Sequence, residues 1–176
     1  MVSYRRSRVP GACYFLTLAL QDRRRDLLVR YCDDLRQSFR KAMIRKPFRL
    51  LAIVVLPDHL HMLMELPPGD ADFSSRVRML KSGFVSLLRG RPGVALKFNV
   101  KGEANLWQRR FWEHLIRDER DYAAHVDYIH FNPVKHGLVS SVREWPLSSF
   151  HRFVKQGGLP ADWAGGAELD VASAGE

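Results

Sequence analysis

The sequence predicts an α+β fold: a ferredoxin-like βαββαβ antiparallel sheet followed by an additional C-terminal helix. Three observations carry this. Strand-like and helix-like hydrophobic periods alternate in that order, a Pro-Asp turn joins two neighbouring apolar segments into a hairpin, and 46% hydrophobic residues suffice for one core in 176 residues. Residues 1–160 are expected to form a single domain with a basic N-terminal arm, and the Gly/Ala-rich end, 161–176, a flexible tail.

The first strand is "ACYFLTLALQ" (12–21), rich in strand formers and bounded by Pro-Gly and by charge. Leu27, Leu28, Tyr31, Leu35, Phe39, Ala42 and Met43 then recur at helical spacing, predicting an amphipathic helix that stops near Pro47. "FRLLAIVVLP" (48–57) reads as a buried strand, and "HLHMLMELP" (59–67) as its hairpin partner. Phe73, Val77, Leu80, Phe84 and Leu87 mark a second helix ending before "RGRPG". No element is assigned to 91–105, and "LWQRRFWEHLI" (106–116) reads as the fourth strand. Asp118 is placed to cap a third helix through "ERDYAAHVDYIHFN", with Pro133 disturbing its end and Gly137 beyond.

The net charge of +9 and pI near 10.0 suit a polyanionic partner. A merely solvated basic surface would give the same total, but beside the basic cluster "DRRRD" the stretches "YRRSR" and "WQRRFW" interleave arginine with aromatics, the pairing that grips phosphate and stacks on bases. Cys13 and Cys32 form no CxxC pair and read as packing residues of a reducing compartment. "ACYFLTLAL" is too short to span a bilayer, and a cytoplasmic protein without membrane association is expected.

Chemistry concentrates at "PDHLHMLMELP". Strand side chains alternate, so His59 and His61 share one face while Leu60, Met62 and Met64 take the other. Two such imidazoles can bind one divalent cation, although pairs of this kind also occur as surface or satisfied core histidines. Tyr128 and Asn132, four apart in the third helix, share a face there. A cation held by His59, His61 and the Asn132 carboxamide oxygen would lie beside the Tyr128 phenol, a pairing suited to attack on a phosphodiester. A helical tyrosine is commonly a packing residue, but Tyr122, Val126 and Ile129 already supply the apolar stripe, with Tyr128 beside it. Asn132 precedes proline, a position biased away from helical geometry.

"PDHLHMLMELP" and "DYIHFNPVKHGLV" together resemble the single-tyrosine HUH transposases related to the IS200/IS605 type, and more closely their domesticated branch, the REP-associated tyrosine transposases. The resemblance extends to "YRRSRVPGACYFLTLALQDRR", "LWQRRFWEHLIRDERDY" and "WPLSSFHRFV", almost the whole chain. It implies metal ligands at His59, His61 and Asn132, Mg²⁺ or Mn²⁺ as cofactor, and Tyr128 as nucleophile. The implied substrate is single-stranded DNA bearing hairpins of the repetitive extragenic palindromic kind, cut through a 5′-phosphotyrosine intermediate. A monomer is implied for this branch, with dimers among its relatives.

Arg5, Arg6 and Arg8 on the N-terminal arm and Arg109 and Arg110 on the fourth strand are the candidate phosphate contacts, with Trp107, Phe111 and Trp112 as stacking surfaces or core. Lys135 and His136 suit the helix C-terminal dipole first and DNA second, and His125 suits a polar helix surface. Glu113 and His114 could alternate toward the site. Two other readings stand beside the enzyme: a nucleic-acid-binding module on a ferredoxin-like sheet that has lost its chemistry, and a metal hydrolase that activates water.

Overall fold

A computed structural model describes residues 8–165; Arg5, Arg6 and the 166–176 part of the expected tail lie outside the described residues. Strand β1 (Cys13–Ala19) leads to a one-turn helix α1 (Leu27–Arg30) and to α2 (Cys32–Arg45). The hairpin β2 (Arg49–Val55) and β3 (His59–Glu65) follows, then α3 (Phe73–Leu88), β4 (Trp112–Leu115) and α4 (Glu119–Lys135). A 3-10 turn at Val142–Glu144 and α5 (Phe150–Lys155) complete the chain. Among the described residues no helix is long and apolar enough to cross a membrane.

The four strands form one sheet in the order β2-β3-β1-β4, every pair antiparallel. Side-chain alternation divides it into two faces. Leu16, Leu18, Leu60, Met62 and Met64 point to one face and pack with Leu35, Phe39, Val77, Leu80 and Phe84 of α2 and α3. On the other face Phe15, Val54 and Leu63 pack with Val126, Tyr128 and Ile129 of α4. The first two helix patterns read from the sequence thus cover one side of the sheet and the third covers the other.

Four expectations shift. The first helix breaks at Tyr31, whose hydroxyl bonds the Pro92 carbonyl, so the apolar period runs through two helices. The fourth strand has four residues instead of eleven, and Arg109 and Arg110 lie before it in an exposed irregular turn. Trp107 makes an isolated bridge to Leu20 instead of a ladder. Finally, α4 runs through Pro133 and keeps Asn132 helical. It stops where Gly137 turns left-handed (φ +66°), with Leu138 N donating to Pro133 O and Gly137 N to Val134 O.

Asp118 caps α4 as expected, its side chain accepting from Asp121 N at 2.8 Å. The outer edge of β2 is closed by the segment that follows α4. Ile53 N donates to Ser149 Oγ, Ser149 N to Ile53 O, Val55 N to Leu147 O, and Trp145 Nε1 to Val55 O, all at 2.8–2.9 Å.

Candidate active site

The alternation of β3 turns both His59 and His61 toward α4, where they are 2% and 0% exposed. Their ring centroids lie 4.9 Å apart and nearly perpendicular. Each ring is held through Nδ1. His59 Nδ1 lies 2.8 Å from Asp58 Oδ1, and His61 Nδ1 lies 2.8 Å from Thr17 Oγ1 across the β1–β3 ladder. An ionised carboxylate only accepts, so His59 carries its proton on Nδ1 and keeps its lone pair on Nε2. That Nε2 is buried with no hydrogen-bond partner.

Asp58 is in turn paired with Arg23. Burial would raise the Asp58 carboxyl, but the hydrogen bonds from His59 and Arg23 outweigh it and hold it below the usual carboxylate range. Burial pushes His59 below the ordinary histidine value despite its acidic neighbour, which keeps the ring neutral at pH 7, the form that binds metal. In the sequence Arg23 reads as general charge and Asp58 as a turn residue. The signal available was the acid directly before His59.

Helix α4 faces these rings along one row. Tyr128 meets His61 with centroids 5.2 Å apart, and His136 meets His59 at 5.2 Å. Asn132 stands midway in that row, four residues from each, and so on the same face. It is fully buried, and neither its Oδ1 nor its Nδ2 has a hydrogen-bond partner. Three positions read as ligands therefore share one interface with the tyrosine, and His136 joins them, a neighbour the helix-dipole reading did not foresee.

Tyr128 does not stand beside the apolar stripe, as expected, but within it. It is 2% exposed and packs edge-on against Phe15, because α4 packs across β2 and β3. Lys135, expected at the helix end as a dipole partner and DNA contact, folds back along α4. Its Nζ donates to Tyr128 Oη at 3.5 Å and lies 4.9 Å from the ring centroid. Arg8, Arg109 and Arg110 are exposed, Trp107 is buried, Phe111 is half-buried, and Trp112 packs on Phe15.

His125 is buried rather than a surface polar residue, and joins His114 and Asp121 in a group with metal-ligand spacing, all within 4.8 Å. These atoms already serve one another. His114 Nε2 and the Arg117 backbone and guanidinium N–H groups bond the Asp121 carboxylate, and His125 Nδ1 donates to Asp121 O at 2.7 Å. Burial would raise the Asp121 carboxyl, but its bonds from His114 and Arg117 bring it down to about 2. The network ties the first turn of α4 to β4. His130 bonds Ser149 Oγ, and burial drives it down to about 4; Glu113 is buried on the opposite face of the sheet.

The model of the transposase IS200-like family matches residues 11–132, a span containing His59, His61, Tyr128 and Asn132. The chain belongs to the IS200-like transposase family. This transposase is similar to the REP-associated tyrosine transposase of Escherichia coli, 45% identical over 176 residues that cover 100% of this chain and 98% of the relative. A Haemophilus influenzae protein described provisionally in the same words is 45% identical over 97% of this chain and 98% of its own. Among solved structures, that of a REP-associated tyrosine transposase bound to a REP hairpin superposes with a TM-score of 0.86 at 45% identity, covering 100% of this chain and 98% of the other.

Proposed function

We propose that this transposase cuts and rejoins single-stranded DNA through Tyr128, acting on hairpin-bearing repetitive DNA of the REP kind. The observation that carries the reading is the contact of the Tyr128 ring with His61 beside a buried His59 Nε2 and a buried Asn132 amide that have no hydrogen-bond partners. Buried polar atoms left unbonded cost stability, so their retention points to a ligand. Two imidazoles and an amide oxygen suit Mn²⁺, and Mg²⁺ with waters completing its shell. His59, His61 and Asn132 would hold a divalent cation, which would supply positive charge at the scissile phosphate.

The protein's own groups do the rest. Asp58 and Thr17 fix both imidazoles by their Nδ1 atoms, so that neither ring has to be ordered when DNA arrives. Tyr128 Oη attacks phosphorus, forming the Tyr–O–P bond to the 5′ phosphate as the bond from phosphorus to the 3′ oxygen breaks. The phenol proton leaves to solvent and the 3′ oxygen gains one. A phenol near pKa 10 resists this at neutral pH, and the Lys135 ammonium beside Oη favours the phenolate. Because the phosphodiester energy is kept in the linkage, the reverse step joins the 5′ phosphate to another 3′ hydroxyl. With Tyr128 buried, attack requires α4, or what covers the hydroxyl, to move and admit a phosphate.

The test is incubation with a labelled hairpin oligonucleotide in Mg²⁺ or Mn²⁺ followed by a denaturing gel. A protein–DNA adduct is expected from wild type and none from Tyr128→Phe. Equal cleavage by Tyr128→Phe would remove the tyrosine from the chemistry. If that cleavage were then lost in His59→Ala and His61→Ala, water would be the nucleophile.

A further inference from the structure

Away from Tyr128, a groove of about 940 Å³ runs between α3 and the segment 97–111. Its chemistry is one-sided. From Phe73 to Gly102 the chain contains no Asp or Glu, while Arg78, Lys81, Arg89, Lys97 and Arg109 all line the groove. Arg78, Arg89, Lys97 and Arg109 are exposed and make no ion pair with any described residue. Among the described residues the sole carboxylate on the wall, Glu103, accepts from Asn99 Nδ2. Phe98 keeps 43% of its surface exposed, with the Arg89 guanidinium 4.8 Å from its ring centroid. An exposed aromatic ring among unpaired cations is the surface on which unpaired bases stack while their phosphates are neutralised.

The groove is also tied to the strand that neighbours β3. Its wall residue Gln108 donates its backbone N–H to Ala19 O, and Trp107 bridges Leu20. Ala19 is paired in the sheet with His59. The groove therefore meets the sheet one strand away from His59, on the α3 face, while the imidazoles lie on the opposite face.

We infer that this groove binds a single-stranded stretch of the DNA substrate flanking the hairpin, with Arg78, Arg89, Lys97 and Arg109 on its phosphates and Phe98 under one of its bases. The inference rests on the reading of Tyr128 as a DNA-cutting residue only for the source of the strand. A duplex stem hides its base faces, so Phe98 selects unpaired nucleotides.

The experiment is fluorescence anisotropy of the full chain, without divalent metal, across a salt series. Two probes are compared, a blunt hairpin and the same hairpin with a single-stranded extension. Phe98→Ala is expected to weaken binding of the extended probe about tenfold with its salt dependence unchanged. The double variant Arg78→Ala/Lys97→Ala is expected to make the log–log salt slope shallower by about 1.4, two phosphate contacts at roughly 0.7 each. Both should bind the blunt hairpin within twofold of wild type. Unchanged affinity for the extended probe, equal losses on both probes, or displacement of the extension by polyglutamate as readily as by unlabelled single strand would overturn the inference. The adduct assay is run in parallel: adduct formation with no groove effect sinks the groove alone, and a groove effect without adduct sinks the tyrosine reading alone.

Discussion

The two faces of the sheet solve burial in opposite ways. Against α2 and α3, Leu60, Met62 and Met64 bury only apolar atoms, and the face is satisfied by packing. Against α4, the intervening residues of the same strand bury His59 Nε2 and, opposite it on the helix, both amide atoms of Asn132 with no partner. Each such atom costs on the order of 1–3 kcal/mol. One strand thus carries a stabilising edge of side chains and a costly one, and the costly one faces the tyrosine.

That contrast can be broken or sharpened by substitution. The largest effect is expected from Tyr128→Phe, which keeps the ring packed on Phe15 and His61 but abolishes the covalent adduct, read on a denaturing gel, with an unchanged urea midpoint. Next, Met62→Ala should lower unfolding free energy by about 2–5 kcal/mol in urea titrations. His59→Leu, on the opposite face of the same strand, should change it by less than about 1 kcal/mol while eliminating adduct formation. Similar destabilisation by both would mean that the faces do not differ in kind. Thr17→Val removes the hydroxyl at His61 Nδ1 and should weaken Mn²⁺ binding about 10- to 100-fold by calorimetry.

The smallest effect concerns the His114–Asp121–Arg117 network. The Asp121 carboxyl sits at about 2 when folded, against roughly 3.9 unfolded, so its contribution is whole above the unfolded value and drains as pH falls toward 2. Asp121→Asn should flatten that acid limb in urea midpoints recorded between pH 5 and pH 2. An unaltered limb would assign acid sensitivity to other carboxylates.

Much of this was legible because it depends on local rules. The alternation of "HLHMLME" fixes which face holds His59 and His61 once β3 exists, and Asp118 and Gly137 delimit α4 by capping chemistry alone. What escaped was set by tertiary contact. Nothing local announces that α4 packs across the sheet so as to bury Tyr128, or that Lys135 and His136 return along it to the tyrosine and to His59. The short β4 follows from Arg109 and Arg110, whose charges favour water over a ladder. Pro133 misled because its missing N–H forfeits only one bond near a helix end, and the Gly137 turn satisfies the last carbonyls. The acid-free run 73–102 was readable throughout, but its cations were spaced too widely to register as a cluster until α3 and the following loop brought them to one groove.

The closed margin of β2 has a consequence for self-association. With Ile53 and Val55 already hydrogen-bonded to Trp145, Leu147 and Ser149, the Ile53–Val55 stretch of that border offers a second molecule no free backbone to zip against. Copies of this protein that meet along Ile53–Val55 must join through side chains, and a continuous sheet shared across that stretch would first have to peel away the segment beyond α4.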